Sequence, residues 1–221
     1  MKKAFAIIAA FLFGAMTGNG HGLYRRALLS EKLQDTTLTF RLIINKMNTE
    51  LQHVLLSGNS DRDMALLMIV RDLGVIDMEM LEMRRGKNPL LMTKAREMVT
   101  TNIHEVFELN KIITRVNPPV NYDPLDKAAG LGKAISSLLK NKTRFGSLDL
   151  SIDEEFIKQM IDQHAERLKL MKIILKYSKD REMKAFGESR IQESAIINEL
   201  RGLGRRYYRP DILRPSGFQQ Q

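Results

Sequence analysis

The chain has 221 residues, 43% hydrophobic and 28% charged, the balance of one or two folded domains rather than a disordered polymer. It holds no cysteine, which excludes thiol catalysis, disulfide stapling and a lipid anchor on cysteine. Without Trp, with 6 Pro and 6% aromatics, it is predicted to be all-α, and its net charge of +9 fits solubility first and contact with an anionic partner second.

At the start, "MKKAFAIIAAFLFGAMTGNGHG" places Lys2 and Lys3 before the apolar run Ala4–Met16, then small and polar residues, which is the order of an export signal. That run is shorter than the roughly 20 residues of a membrane span. Residues 1–20 are therefore predicted to be a signal peptide, or an N-terminal anchor if Gly18-Asn19-Gly20 is not cut, and the protein to be exported to the periplasm. From residue 23 to 57 apolar residues recur at three and four, which predicts a long N-terminal helix.

Residues 58–115 read as a helical hairpin. Ser60 with Asp63 resembles a capping box opening a helix to Arg85. Gly86 is a stop, Asn88 a cap and Pro89 the first position of a helix over 89–115. Residues 116–151, rich in Pro and Gly, form a linker with one short helix around 124–141. A second hairpin spans 152–203: Ser151 with Glu154 is another capping box, a helix runs to Tyr177, "SKD" turns, and a fifth helix reaches Leu203. Residues 204–221 are predicted to be an extended basic tail.

The hairpins repeat at an offset of 92: Asp61 aligns with Asp153, Met68 with Met160, Ile69 with Ile161, Ile76 with Leu168 and Lys87 with Lys179. Neither can bury its apolar stripe alone. Two facing hairpins make a four-helix bundle, along which the N-terminal helix packs.

These residues resemble the domain of unknown function 305 family, exported helical-hairpin proteins related in outline to ferritin-like bundles. The first copy carries Met68, Arg71, Asp72, Gly74, Ile76, Asp77 and Met78, then Asn102 and Glu105; the second carries Met160, Gln163, His164, Leu168 and Met171, then Glu193. Arg71, Asp72 and Gln163 stand where the family pattern has histidines. The resemblance implies an exported bundle, with copper handling in some members.

His164 lies on the apolar side of its helix, with Met160 one turn before and Met171 two turns after. Thioether and imidazole donors select Cu(I), so His164, Met160 and Met171, with Glu193, are candidate copper ligands. Alternatively, Glu193 is a structural hydrogen-bond partner for the imidazole. No resident cofactor is otherwise predicted. Met64, Met68, Met78, Met80 and Met83 surround their helix and read as core filler.

Glu50 and His53 match a single Glu-x-x-His step, where a di-iron bundle needs two, so a ferritin-like oxidoreductase is the weaker alternative. His104 lies on a polar face. There is no nucleophile elbow, phosphate loop, dinucleotide fingerprint or His-Glu-x-x-His motif, so a non-enzymatic protein is expected. In the tail, Arg205, Arg206, Tyr207, Tyr208, Arg209 and Arg214 mix the residue types favoured as docking anchors. They predict a protein partner or an anionic membrane surface, with nucleic acid disfavoured for an exported chain. The function expected is that of a periplasmic binding or assembly protein, with copper handling as the alternative.

Overall fold

A computed structural model describes residues 38–115, 119–140, 150–190 and 193–208. The predicted signal peptide, the predicted N-terminal helix before residue 38 and the tail beyond Tyr208 lie outside the described residues. Among the described residues there is no strand, and no helix is long and apolar enough to cross a membrane. The all-α expectation holds.

Helix α1, Phe40–Gln52, is capped by Thr39, whose hydroxyl accepts from the Leu42 N–H at 3.3 Å. Phe40, Ile43, Ile44, Met47 and Leu51 form its buried stripe. It stops five residues short of the predicted position 57. The reason is the next turn, where the Ser57 and Gly58 N–H groups both donate to the Asp63 carboxylate, each at 2.9 Å. Gly58 has φ +83°, a conformation that side chains disfavour, and a Cβ there would press on Val120.

Helix α2, Ser60–Arg85, turns through residues 86–88 into α3, Pro89–Arg115. The predicted cap at Ser60 is corrected. Asn59, not Ser60, caps α2 by accepting from the Arg62 N–H, while Asp63 serves the preceding loop and the Tyr122 hydroxyl. The linker's short helix is α4, Gly130–Lys140, which buries Leu131, Ile135 and Leu138 and packs on α5 and α1. Helix α5, Ile152–Tyr177, opens with the predicted Ser151–Glu154 capping box.

The expected fifth helix is two, α6, Arg181–Arg190, and α7, Glu193–Tyr207; residues 191–192 between them lie outside the described residues. The expectation of an extended tail from residue 204 is corrected, because Arg205, Arg206 and Tyr207 are helical. Both arginines sit in the last turn, where cations complement the helix dipole. Tyr208 then pins the end, its hydroxyl donating to Asp153 at 3.1 Å and accepting from Asn88 at 3.2 Å.

The repeat is visible in the element bounds. Adding 92 to Ser60–Arg85 gives Ile152–Tyr177, and adding it to Pro89–Arg115 spans Arg181 to Tyr207. Helices α2 and α5 pack together running in opposite directions, because Asp61 at the start of α2 bonds the turn after α5 while Asp153 at the start of α5 bonds the turn after α2. Midway, Arg71 donates to Gln163, its own equivalent, at 3.3 Å. The core lies between α2, α3, α5 and the α6–α7 arm. Helix α1 closes one side: a Cβ at Gly74 of α2 would sit 2.6 Å from the Met47 sulfur, so only glycine lets the two helices approach so closely.

Candidate functional site

Met160, His164 and Met171 all project from α5 into the bundle, with Met160 and Met171 fully buried and His164 2% exposed. Helical geometry separates them along the axis. Met160 and His164 are about 6 Å apart in rise, whereas Met160 and Met171 are about 16 Å apart. One ion cannot be reached from both ends of that interval. Arg167, 3% exposed, lies on the same stripe between His164 and Met171, within about 60° of all three around the axis. Its fixed positive charge separates Met171 from any cation at His164. The donor set therefore contracts to the Met160–His164 step. The Glu193 side chain lies outside the described residues.

Arg167 is the hub of a buried polar network to which every arm of the bundle contributes. Its guanidinium pairs with Glu105 of α3 and lies 3.6 Å from Asp72 of α2. It also donates to the Asn102 side-chain oxygen at 3.0 Å, and the Asn102 amide donates to Glu79 at 2.6 Å. Arg190 of α6 reaches Glu105 at 3.0 Å. Arg71 sits 3.9 Å from Glu166 besides its bond to Gln163.

Burial sets the charge states here. It pushes the Glu79 carboxyl well above its usual range, and nearby Asp72 adds to this against the opposing pull of Arg167 and Asn102. Burial also lowers Arg71, with Glu166 and Asp72 acting to restore it. Three guanidinium groups, Arg71, Arg167 and Arg190, thus meet the carboxyl groups of Asp72, Glu79, Glu105 and Glu166 in one buried cluster. Removing one partner from such a set leaves a buried charge uncompensated, which costs about 3–5 kcal/mol.

The two ends of the bundle are clamped by aspartates. Asp61 accepts from the Ser178 hydroxyl and from the Lys179 N–H at 3.2 Å. Asp153 accepts from the Lys87 N–H at 2.9 Å and the Asn88 N–H at 3.4 Å. Beside Asp153 lies Glu82, whose carboxyl is pushed up to about 9 by burial and then by the hydrogen bond to, and charge of, Asp153. Burial likewise moves Tyr208 up to about 12.

The remaining predicted residues are dispersed. Glu50 is half-buried and His53 exposed, with His53 Nδ1 2.7 Å from the Thr49 carbonyl, so this step faces the surface and not the bundle interior. His104 is exposed, as expected. Met64, Met68, Met78 and Met80 are core, and Met83 is partly so. Arg205, Arg206 and Tyr207 are exposed at the end of α7, Tyr208 is half-buried in its clamp, and Arg209 and Arg214 lie outside the described residues.

Sequence reasoning missed Arg167, Glu79, Glu166, Arg190 and Glu82 as site residues. A signal was present: Asp72 and Glu79 fall seven apart on a helix otherwise walled by Met and Leu, and Arg167 interrupts the apolar stripe of α5.

Among the described residues no group of three or more His, Asp or Glu side chains is placed to hold a metal ion. No family model matches the chain, and no curated protein is similar to it. Two solved structures share its fold. CopM in its Ag-bound form, obtained by soaking, superposes with a TM-score of 0.51 at 21% identity, over 68% of this chain and 98% of that one. CopM in its Cu(I)-bound form gives a TM-score of 0.51 at 20% identity, over 67% and 98%.

Proposed function

We propose that this chain is an exported, non-enzymatic helical-bundle protein that takes a soft monovalent metal ion, Cu(I), as cargo at the Met160–His164 step of α5. The observation that carries the reading is that step itself: a thioether and an imidazole one turn apart, both buried, in a chain without thiols. This pair suits Cu(I) better than a hard dication, which would seek carboxylates. The CopM structures holding Ag and Cu(I) on the same fold support it. Arg167 confines the ion to the Met160 side of His164. Competition for Cu(I) against a chromogenic chelator tests the reading on the full chain under reducing, anaerobic conditions. His164→Ala and Met160→Leu are each expected to weaken binding at least tenfold, and Met171→Leu to leave it unchanged. Absence of binding, or equal loss in all three variants, overturns the assignment.

A second reading is favoured by the network around Arg167, which supplies the bundle's own interior cation and lets it fold without metal. The chain then acts as a binding or assembly module, and the same titration separates the two.

A further inference from the structure

The bundle's two ends differ in surface charge. Around the turn after α5, exposed or half-buried Arg62, Lys127, Lys176, Lys179, Arg181 and Lys184 are offset in part by Asp123, Asp126, Asp180 and Glu182. Around the turn after α2, the exposed cations Lys87, Arg205 and Arg206, with Arg84 and Arg85 half-buried behind them, face only Glu154 and Glu155. Glu154 is engaged by the capping box with Ser151, and the Arg41 charge acts on Glu155. Two large apolar side chains stand out of this basic end, Leu90 at 53% and Tyr207 at 45% exposure. They are held at the same end by the Asn88–Tyr208 bond between the starts and ends of their helices. Arg206 lies over the Tyr207 ring, 6.0 Å from its centroid.

We infer that this end of the bundle docks on an anionic lipid surface, with Lys87, Arg205 and Arg206 against headgroup phosphates and Leu90 and Tyr207 seated at the boundary with the acyl chains. Charge complementarity argues for it. A Lys or Arg near an anionic bilayer is drawn to its surface potential, and an amphipathic tyrosine is suited to the water–lipid boundary. The fold adds orientation, because the cations sit on helix ends fixed by the Asp153 clamp, so the long axis of the bundle would stand away from the membrane. The inference does not depend on the copper reading.

The absence of native cysteine makes the test clean. Full-length protein carrying Leu90→Cys, labelled with an environment-sensitive fluorophore, is mixed with vesicles of phosphatidylcholine containing phosphatidylglycerol, and with pure phosphatidylcholine vesicles. The same label at Leu125→Cys marks the opposite end. A blue shift at position 90 only with anionic vesicles, weakened at least tenfold in apparent affinity by Arg205→Glu with Arg206→Glu and by 0.5 M salt, is expected. Comparing labels within the full chain removes any common contribution of its N-terminal apolar run. A label that stays wet at 90, an equal shift at 125, or a shift indifferent to the two arginines overturns the inference. Binding of poly-glutamate with no shift on vesicles overturns it in favour of an acidic protein partner.

Discussion

At one end of the bundle Asp61 accepts a serine hydroxyl and a backbone N–H; at the other, Asp153 accepts two backbone N–H groups and a tyrosine hydroxyl, with the Glu82 carboxyl beside it. The repeat explains both the likeness and the difference. Ser178 and Gly86 are equivalent positions, as are Ile174 and Glu82. Where Ser178 supplies a hydroxyl, Gly86 supplies room: a Cβ there would run into the Glu82 carboxyl. Where Ile174 is plain core, Glu82 is a group that must hold a proton to sit beside Asp153. A duplicated frame thus keeps the clamp at both ends and sets a buried carboxyl beside one of them.

The largest effect tests what lies between the ends. Arg167→Met should destabilise the bundle by about 3–5 kcal/mol in urea unfolding, since Glu105 keeps only Arg190 and Asp72 loses the guanidinium 3.6 Å away. It should leave the pH sensitivity of the Asp153 end in place. A loss under about 1 kcal/mol would show that the network is not closed as described.

Next comes Glu82. The unfolded chain ionises it above about 4.5, whereas the folded chain keeps it protonated up to about 9. Stability is therefore greatest below the lower value and declines as pH rises toward the upper one. Each pH step between those values removes at most about 1.4 kcal/mol, and less at a group that water partly reaches. Glu82→Gln, which keeps a donor for Asp153, should stabilise the protein on the order of 2 kcal/mol near pH 8 and hardly at all at pH 4. Urea midpoints across that range measure it, and a gain independent of pH would refute the proton on Glu82.

The smallest effect compares the clamps directly. Ser178→Ala removes one donor to Asp61 and should cost about 1 kcal/mol. Measured over the same pH range as Glu82→Gln, it sets a hydroxyl lost at one end against a carboxyl replaced at the other.

Much of the fold was legible in the residues. The bounds of α2, α3 and α5, the Ser151–Glu154 box and the 92-residue offset all follow from periodicity, caps and repetition, which are local. The ends of α1 and α7 did not: Asp63 turns back to hold Ser57 and Gly58, a short loop bond that apolar periodicity does not register, and Tyr208 reaches Asp153 in a distant segment. Of the site, His164 with Met160 could be read from one helix face. The Arg167 network could not, since which carboxylates meet a guanidinium depends on how four helices are turned toward one another. Gly86 was read as a helix stop; its φ of −59° shows that space for Glu82, not backbone freedom, is what it provides.

Arg71 meeting Gln163 has a consequence for descent. A homodimer of identical single hairpins would bring residue 71 against residue 71 at its symmetry axis, and two arginines there would repel. Fusion into one polypeptide lifts that constraint, because each half can evolve its own residue at the self-facing position. The mixed pair at the centre is an asymmetry that a tandem gene permits and a symmetric ancestor could not have held.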